Sequence, residues 1–339
     1  MDNTNDKIFF NFSYFALKLL GKGLYSNPWT AIAELVANGL DAKATCVRIF
    51  IDMSDKKNSE IEIFDNGTGM TYSDLAEKYV LIGKNKREDL SLDEVSKNKV
   101  MGRKGIGKLA ALYLSSKYYL ISKSAGQESA WYFDMSNERE SEIPSLNRVN
   151  LSQVEVLSAE YWDKLTSGTM IKLKNVDLTN IGIQSIEGLK ARLSDYYVLD
   201  SISGKIELAV RYQKNTPIGF QEVAKNIAFR NFYALFDNSE SNIKSRIAES
   251  VYFPSADDTV RRKPRHTVII DESAYNTSGT RHFVKEDGSL SEKEIPYSLT
   301  GWIGIHASIK KDDAQVNDPL FLKNKAYKST QLRLYVRKK

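Results

Sequence analysis

The chain has 339 residues, which is enough for two domains with sizeable hydrophobic cores. Its composition, 42% hydrophobic and 27% charged, is that of an ordinary soluble globular protein, and the net charge of +5 is too small to indicate nucleic-acid binding by itself. The single cysteine, Cys46, excludes an internal disulfide and any multi-cysteine metal site, and it favours a reducing compartment.

The sequence carries no signal for membrane insertion or export. No apolar run is long enough to span a bilayer, and the polar start, Met1–Asp6, lacks the apolar stretch of a signal peptide. We therefore expect a cytoplasmic protein with no membrane partner. The three histidines, His266, His282 and His306, lie far apart in the sequence, which is more typical of core or surface histidines than of metal ligands.

The first long helix is predicted directly after Asn27 and Pro28, since a first turn tolerates the missing N–H of proline. In a helix, Glu34, Asn38 and Asp41 share one face, at spacings of four and three residues. Two carboxylates and an amide that point into one space suit a hydrated divalent metal and a polarised water. The alternative is a solvated face, because such polar sets are common on surface helices.

Two strands are predicted next, Cys46–Asp52 and Glu60–Asp65, in which apolar side chains alternate. The second strand continues into Asp65-Asn-Gly-Thr-Gly-Met70. A carboxylate at a strand end can be fixed at the rim of a pocket, and Gly67 and Gly69 allow a ligand ring to approach the backbone. Because Asp-Asn-Gly is also an ordinary turn, this pattern alone leaves both interpretations open.

A long polar segment, residues 72–101, begins with a helical piece at Ser73–Val80 and is either a functional lid or disordered. It ends at Gly102-Arg-Lys-Gly-Ile-Gly-Lys108, a glycine-rich turn that leads into a helix. Backbone N–H groups and the helix dipole make such a turn suitable for phosphates, and Lys104 and Lys108 add positive charge. The spacing matches neither a Walker A motif nor a dinucleotide fingerprint.

The remaining elements are shorter and less regular. Strands are predicted at Lys117–Ser122, Ala130–Asp134, Gly168–Leu173, Lys205–Tyr212, Thr267–Asp271, Pro296–His306 and Gln331–Arg337. Helices are predicted at Glu160–Leu165, Ile183–Tyr197 and Ile243–Glu249, and a turn at Asp287-Gly288. Residues 319–339 include seven basic residues and no acidic one, which fits either a lysine-guarded edge strand or an anion-binding surface. Because a strand rarely ends a domain, we expect the chain to be the front part of a longer protein.

Four of these segments together resemble one superfamily, the Bergerat-fold (GHKL) ATPases, which includes DNA gyrase, the ninety-kilodalton heat-shock chaperones, histidine kinases and MutL-type mismatch-repair proteins. In chain order, the matching boxes are Glu34-x-x-x-Asn38-x-x-Asp41, Asp65-x-Gly67-x-Gly69-Met70, Gly102-x-x-Gly105-x-Gly107 and Gly168-Thr169. Each box alone is weak, but this order and spacing are highly specific. The resemblance extends from about Pro28 to Leu173.

The resemblance implies that the chain binds and hydrolyses ATP with Mg²⁺. Glu34 is similar to the general base that deprotonates the attacking water, and Asn38 is similar to the Mg²⁺ ligand. Asp65 would accept a hydrogen bond from the adenine N6 amino group, and Asp41 would hold the helix or the lid. The residues implied around the adenine are Gly67, Gly69, Met70 and Thr169. The residues implied around the phosphates are Gly102, Lys104, Gly105, Ile106, Gly107 and Lys108. Lys86 would be the lid lysine, although Lys84 is equally compatible.

The fold that the resemblance implies is α+β. It is a Bergerat-fold α/β sandwich whose mixed, mostly antiparallel sheet is covered by helices on one face, followed by a smaller α/β domain similar to a transducer domain. We expect the ATP-binding domain at residues 1–205, with a lid at 72–108, and the transducer-like domain at 206–339. In such proteins the second domain normally supplies a basic residue to the γ-phosphate. The candidates are Lys310, Lys311, Lys323 and Lys325.

Within the superfamily, the glutamate of the first box argues against a histidine kinase, and the stretch around it looks most like the chaperone, MutL and MORC branch. This resemblance implies a slow ATPase that operates a clamp, in which ATP closes the lid and two subunits meet transiently. Its target would be DNA, with bacterial defence as one setting. The alternatives are a chaperone-like ATPase that acts on protein clients and a nucleotide-gated interaction module in which turnover is incidental.

Overall fold

The structure is a computed structural model. It describes residues 13–83, 106–135, 141–182, 185–194, 196–197, 202, 204–223, 232–236, 266–270, 276–285, 287–298 and 302–304. The chain divides into two compact units, one of Met1–Ala224 with Leu334–Lys339 and one of Lys225–Arg333. No helix within the described ranges has the length and apolarity that a bilayer span requires.

The first unit combines helices with a large sheet. Its helices are α1 (Tyr14–Gly23), α2 (Pro28–Asp41), α3 (Tyr72–Asp74), α4 (Ala110–Leu114), α5 (Ala159–Trp162) and α6 (Ile186–Ser194). A π-helical turn, Leu75–Tyr79, extends α3, and short 3₁₀ turns occupy Gly107–Leu109 and Leu151–Gln153. Its strands are β1 (Cys46–Asp52), β2 (Ser59–Asp65), β3 (Lys117–Ser124), β4 (Gln127–Asp134), β5 (Asn147–Val149), β6 (Gly168–Val176), β7 (Lys205–Arg211) and β8 (Gln221–Glu222).

These strands form one eight-stranded sheet in the order β5-β4-β3-β6-β2-β1-β7-β8. The pairing of β1 with β7 is parallel, and the other pairings in this sheet are antiparallel. The predicted fold class, a mixed and mostly antiparallel sheet with helices, is therefore confirmed. The predicted boundary after residue 205 falls at the start of β7, a strand of this sheet.

Helix α2 begins where the sequence predicts. The side-chain oxygen of Asn27 accepts a hydrogen bond from the Thr30 N–H at 3.0 Å, and Pro28 fills the first turn. The helix ends at Asp41, and Lys43 beyond it adopts a left-handed φ of 62°. Nine of its residues are buried, because its apolar side packs against the sheet.

The main hydrophobic core lies between one face of the sheet and the helices, with Ile32 and Val36 of α2 and Leu189 of α6 among its members. A smaller cluster lies on the opposite face, where Phe64 of β2 meets Trp162 of α5, with ring centroids 6.1 Å apart. Both faces of the central strands are thus buried.

The opposite face also contains a buried charge network. The Lys172 ammonium, which is fully buried, lies 2.9 Å from Glu62 Oε1 and 2.6 Å from Glu60 Oε2. Glu62, also fully buried, accepts hydrogen bonds from the backbone N–H groups of Leu157 and Ser158, each at 2.8 Å. Burial alone would lower the pKa of Lys172, but the two carboxylates raise it. The network fixes the segment before α5 to the middle of the sheet.

We predict that Lys172→Met lowers the free energy of unfolding by about 3 kcal/mol, because it leaves the Glu62 charge buried with fewer partners. Denaturant titration followed by circular dichroism measures the change. The control is Lys174→Met, since Lys174 is 33% exposed and lies 3.9 Å from Glu60, so its loss should cost less than about 1 kcal/mol. Equal effects of the two substitutions would contradict the prediction.

The described part of the second unit consists of strands. Strands β9 (Phe232–Phe236), β10 (His266–Ile270) and β13 (Trp302–Gly304) form a three-stranded sheet in the order β10-β9-β13. Strands β11 (Asn276–Val284) and β12 (Leu290–Ser298) form a hairpin. Its turn is the predicted one, in which the Gly288 N–H donates to the Lys285 carbonyl oxygen at 2.9 Å.

One strand prediction in this unit was wrong. The predicted single strand Pro296–His306 is divided between β12, which ends at Ser298, and β13, which begins at Trp302. The two parts have different partners, since Tyr297 pairs with Thr277 of the hairpin and Trp302 pairs with β9. The predicted helix at Ile243–Glu249 and the predicted strand at Gln331–Arg337 lie outside the described residues.

Candidate functional site

Asp65 lies at the end of β2 with its side chain buried, 7% exposed. Its Oδ1 accepts a hydrogen bond from the Gly67 N–H at 2.8 Å, and the Thr169 N–H also donates to the carboxylate. Burial raises the pKa of Asp65 to about 6, although both N–H donors act to lower it. Because two carboxylate oxygens offer about four acceptor positions, Asp65 can still accept a hydrogen bond from a ligand.

Two glycines allow the backbone to close around this carboxylate. Gly168 has a φ of 147°, and a Cβ there would lie 2.0 Å from the carbonyl oxygen of Asp65. Gly69 has a φ of 65°, and a Cβ there would lie 2.0 Å from the carbonyl oxygen of Lys123. No side chain fits at either position, so the ends of β2, β3 and β6 meet at one place only because glycine is present.

The loop after Asp65 is fixed to the end of α2 and the start of β1. The Thr68 N–H donates to the Ala42 carbonyl oxygen at 3.1 Å. The side-chain oxygen of Asn66 accepts hydrogen bonds from the N–H groups of Thr45 and Cys46, each at 2.9 Å. The segment that the sequence singles out as Asp65–Met70 is therefore held in place before any ligand binds.

Ser122 holds the last residue of that segment. Its hydroxyl accepts a hydrogen bond from the Met70 N–H at 2.7 Å and donates one to the Met70 carbonyl oxygen at 3.0 Å. Ser122 is 1% exposed and is paired with Thr169 across the sheet. No sequence motif marks Ser122, although a serine among the inward-facing apolar residues of β3 is a usable signal.

Helix α2 directs its polar face at the second glycine-rich segment. A Cβ built on Gly107 would lie 3.2 Å from Glu34 Oε2 and 3.5 Å from Asn38 Oδ1. Both side chains are partly exposed, as is Asp41 one turn further along the same helix. The structure thus brings Glu34 and Asn38, predicted from spacing alone, to the predicted phosphate turn.

Two tyrosines border Glu34. Burial raises the pKa of Tyr197 well above its usual value, and the nearby carboxylates of Glu34 and Asp41 raise it further. The Tyr197 hydroxyl donates a hydrogen bond to the Ala33 carbonyl oxygen, which stabilises the backbone beside Glu34. Burial, and then the Glu34 charge, also raises the pKa of Tyr25. Both phenols therefore remain protonated beside the carboxylate at neutral pH.

Comparison with known proteins decides the class of this domain. Residues 25–169 match the sequence profile of a family described as histidine kinase-, DNA gyrase B- and HSP90-like ATPase.

Residues 25–169 are a GHKL ATPase domain.

The curated relatives of this GHKL domain have different names. A Herpetosiphon aurantiacus protein named as type II restriction enzyme HgiDII is 37% identical over 169 residues, which are 49% of this chain and 26% of that protein. The chaperone protein HtpG of Sulfurovum sp. (strain NBC37-1) is 29% identical over 152 residues, 39% of this chain and 24% of that protein. The DNA mismatch repair protein MutL of Proteus mirabilis (strain HI4320) is 35% identical over 136 residues, 40% of this chain and 19% of that protein. The chain thus spans about a quarter or less of the length of these relatives.

Lys108, the last residue of the GHKL glycine-rich turn, contacts the backbone at the end of the π-helical turn. Its ammonium donates to the backbone carbonyl oxygen of Lys78 at 3.2 Å and also to those of Tyr79 and Leu81. It lies 5.6 Å from the centre of the Tyr79 ring. The predicted contact of Lys108 with phosphate competes with these hydrogen bonds and stays a prediction.

Several predicted residues of the GHKL site lie outside the described residues. These are Lys84, Lys86, Gly102, Lys104 and Gly105 in the segment between Gly83 and Ile106, and Lys310, Lys311, Lys323 and Lys325 in the second unit. Their roles stay predictions. Ile106, at the start of the described part of the turn, is partly exposed and packs against the main core.

We predict that adenosine affinity depends on pH through Asp65. The ionised carboxylate is the better acceptor for an amino group, and half of the carboxyl groups are protonated at a pH of about 6. Affinity should therefore be constant above about pH 7 and should weaken below pH 6, by up to about tenfold per pH unit. Calorimetric titration at a series of pH values measures it.

Asp65→Asn should bind more weakly and should lose this pH dependence, because an amide does not titrate. The control Glu160→Gln, at an exposed position of α5, should retain both the affinity and the slope. A wild-type affinity that is unchanged between pH 7 and pH 5 would exclude a titrating Asp65 from the adenosine site.

Proposed function

We propose that this chain binds ATP with Mg²⁺ and hydrolyses it to ADP and phosphate. The observation that carries the proposal is the position of Gly107, where a Cβ would lie 3.2 Å from Glu34 Oε2 and 3.5 Å from Asn38 Oδ1. A general base and a neutral oxygen ligand thus face the turn that would hold the phosphates. Membership of residues 25–169 in an ATPase family supports this assignment.

The adenine would bind at Asp65, at the other end of the site. The carboxylate would accept a hydrogen bond from the N6 amino group, since Gly67 and Thr169 use two of its about four acceptor positions. Gly69 and Met70 would line the ring, and Ser122 holds the Met70 backbone in position. A site held this way requires little reorganisation on binding.

The phosphates would be bound by the turn at residues 102–107, through the backbone N–H groups of Gly102, Gly105, Ile106 and Gly107 and the charge of Lys104. Asn38 would contribute its amide oxygen to Mg²⁺, a hard cation that prefers oxygen ligands. When bound, Mg²⁺ neutralises charge that develops on the phosphates. Asp41, further along α2, would hold the helix or the lid.

Glu34 would act as the general base. The oxygen of a water attacks the γ-phosphorus as the bond to the β-γ bridging oxygen breaks, and the water proton passes to a carboxylate oxygen of Glu34. ADP leaves with the bridging oxygen, and Glu34 later returns the proton to solvent. The protonated tyrosines beside it, Tyr25 and Tyr197, add no competing negative charge at neutral pH.

We predict that Glu34→Gln lowers the rate of ATP hydrolysis by about a hundredfold or more, because the amide cannot accept the proton. Its affinity for ATP should change by less than about threefold, since the general base adds little to ground-state binding. Asp65→Asn should instead lose about tenfold or more in affinity. Phosphate release and calorimetry measure the two effects, with Glu160→Gln as the control.

Retained hydrolysis in Glu34→Gln would refute the assignment of the base. Failure of the folded wild type to bind ATP in the presence of Mg²⁺ would refute the proposed function as a whole.

We further propose that ATP drives transient pairing of two copies of the chain in a cytoplasmic clamp that acts on DNA. The names of two relatives, a type II restriction enzyme and a DNA mismatch repair protein, support a DNA target. Similarity to chaperone protein HtpG supports the second candidate, an ATPase that acts on protein clients. Under either candidate, the γ-phosphate would select the paired state.

We expect sedimentation velocity to show a larger species with a non-hydrolysable ATP analogue than without nucleotide. DNA binding should weaken steeply with salt, because counterions are released when phosphates are contacted. DNA binding that is absent at low salt would favour the chaperone-like candidate. A monomer under both nucleotide conditions would contradict the clamp.

A further inference from the structure

The ammonium group of Lys108 contacts three carbonyl oxygens of one short backbone segment. It donates to the carbonyl oxygens of Lys78, Tyr79 and Leu81, as many acceptors as an ammonium has donors. Its charge also lies 5.6 Å from the centre of the Tyr79 ring. A phosphate oxygen could bind this ammonium only by displacing one of the carbonyl oxygens.

Those carbonyl oxygens belong to the end of a helical segment. Helix α3 begins at a capping box in which Thr71 and Asp74 satisfy each other's backbone N–H groups. It continues as the π-helical turn Leu75–Tyr79, which closes with a hydrogen bond from the Val80 N–H to the Leu75 carbonyl oxygen at 3.1 Å. The last carbonyl groups of a helix lack partners within it, and a cation there is favourable.

The same segment has a second attachment, to the sheet. The hydroxyl groups of Tyr79 and Tyr118 lie 3.4 Å apart, and the Tyr118 ring stacks on Phe133 at 5.2 Å between centroids. Leu75 is buried in the main core. Tyr79 thus attaches the π-helical turn to β3, whereas Lys108 attaches it to the glycine-rich turn.

We propose that Lys108 is a positioning residue that ties residues 78–81 to the turn carrying Gly107, and that it is not a phosphate ligand. Gly107, its chain neighbour, lies against Glu34 and Asn38. The hydrogen bonds of Lys108 therefore link the segment that follows Asp65–Met70 to the end of the site where hydrolysis is proposed. This functional consequence rests on the proposed ATP site, but the attachment of residues 78–81 to Lys108 does not.

The test uses the full chain with Lys108→Met, which retains the aliphatic length and removes the donors, and Lys108→Arg, which restores a cation and donors. Lys57→Met, at an exposed position between β1 and β2, is the matched control. Without nucleotide, hydrogen exchange of peptides that cover residues 75–83 should become at least about tenfold faster in Lys108→Met. It should be largely restored in Lys108→Arg and unchanged in Lys57→Met.

The second measurement separates positioning from phosphate binding. Calorimetry gives the ratio of ATP affinity to adenosine affinity, which Lys108→Met should leave within about threefold of the wild type, since the phosphates lose no ligand. Exchange that is unchanged in Lys108→Met would overturn the proposal, and so would a loss of about tenfold or more in this ratio. If neither ligand binds the wild type, the proposed ATP site is refuted, and the exchange result alone tests whether Lys108 positions residues 78–81.

Discussion

The candidate site depends on a backbone contact between two strands. Gly168 lies so near the carbonyl oxygen of Asp65 that any side chain there would overlap it at 2.0 Å. This closeness aligns the start of β6 with the end of β2 and places the Thr169 N–H on the Asp65 carboxylate. Helix α2 closes the third side, because a Cβ on Gly39 would lie 3.0 Å from the Cβ of Asp65. The same helix presents Glu34 and Asn38 to the turn that carries Gly107.

The two carboxylates central to the proposal have opposite surroundings. Asp65 is buried, and its raised pKa shows that desolvation outweighs the two N–H groups that stabilise its charge. Such a group gains from a ligand that donates a further hydrogen bond. Glu34 is partly exposed and lies near two protonated phenols, where it can exchange a proton with solvent. In the proposed site, recognition by Asp65 at the end of β2 and proton transfer by Glu34 of α2 would thus take place at positions that differ in access to water.

Most helices and strands of the first unit could be predicted from the sequence, because they depend on patterns among neighbouring residues. Alternation marked β1 and β2, the capping residues marked α2, and a spacing of four placed Glu34 and Asn38 together. What it could not predict depends on distant partners. Ser122 acts on Met70 across a separation of 52 residues, and Tyr197 reaches Ala33 across 164. The hydrogen-bond partners of Lys108 could not be predicted either, because the carbonyl groups at the end of a helix are available whatever side chains the helix carries. In the second unit, strand pairing rather than composition divided Pro296–His306 between two sheets.

The parallel pairing of β1 with β7 has a consequence for how the sheet assembles. Arg48 and Glu207, which join these strands at 2.7 Å, are 159 residues apart in the chain. Parallel pairing over so large a separation requires closure of a long loop, so it is expected to form late. Until β7 pairs with it, β1 is an edge strand. It contains Ile49, Phe50 and Ile51, which are at most 1% exposed in the folded unit. An uncovered apolar edge can pair with other chains. The GHKL match ends at residue 169, at the second residue of β6 and before β7, so a fragment cut there would lose most of β6 together with the strand that covers the apolar edge of β1.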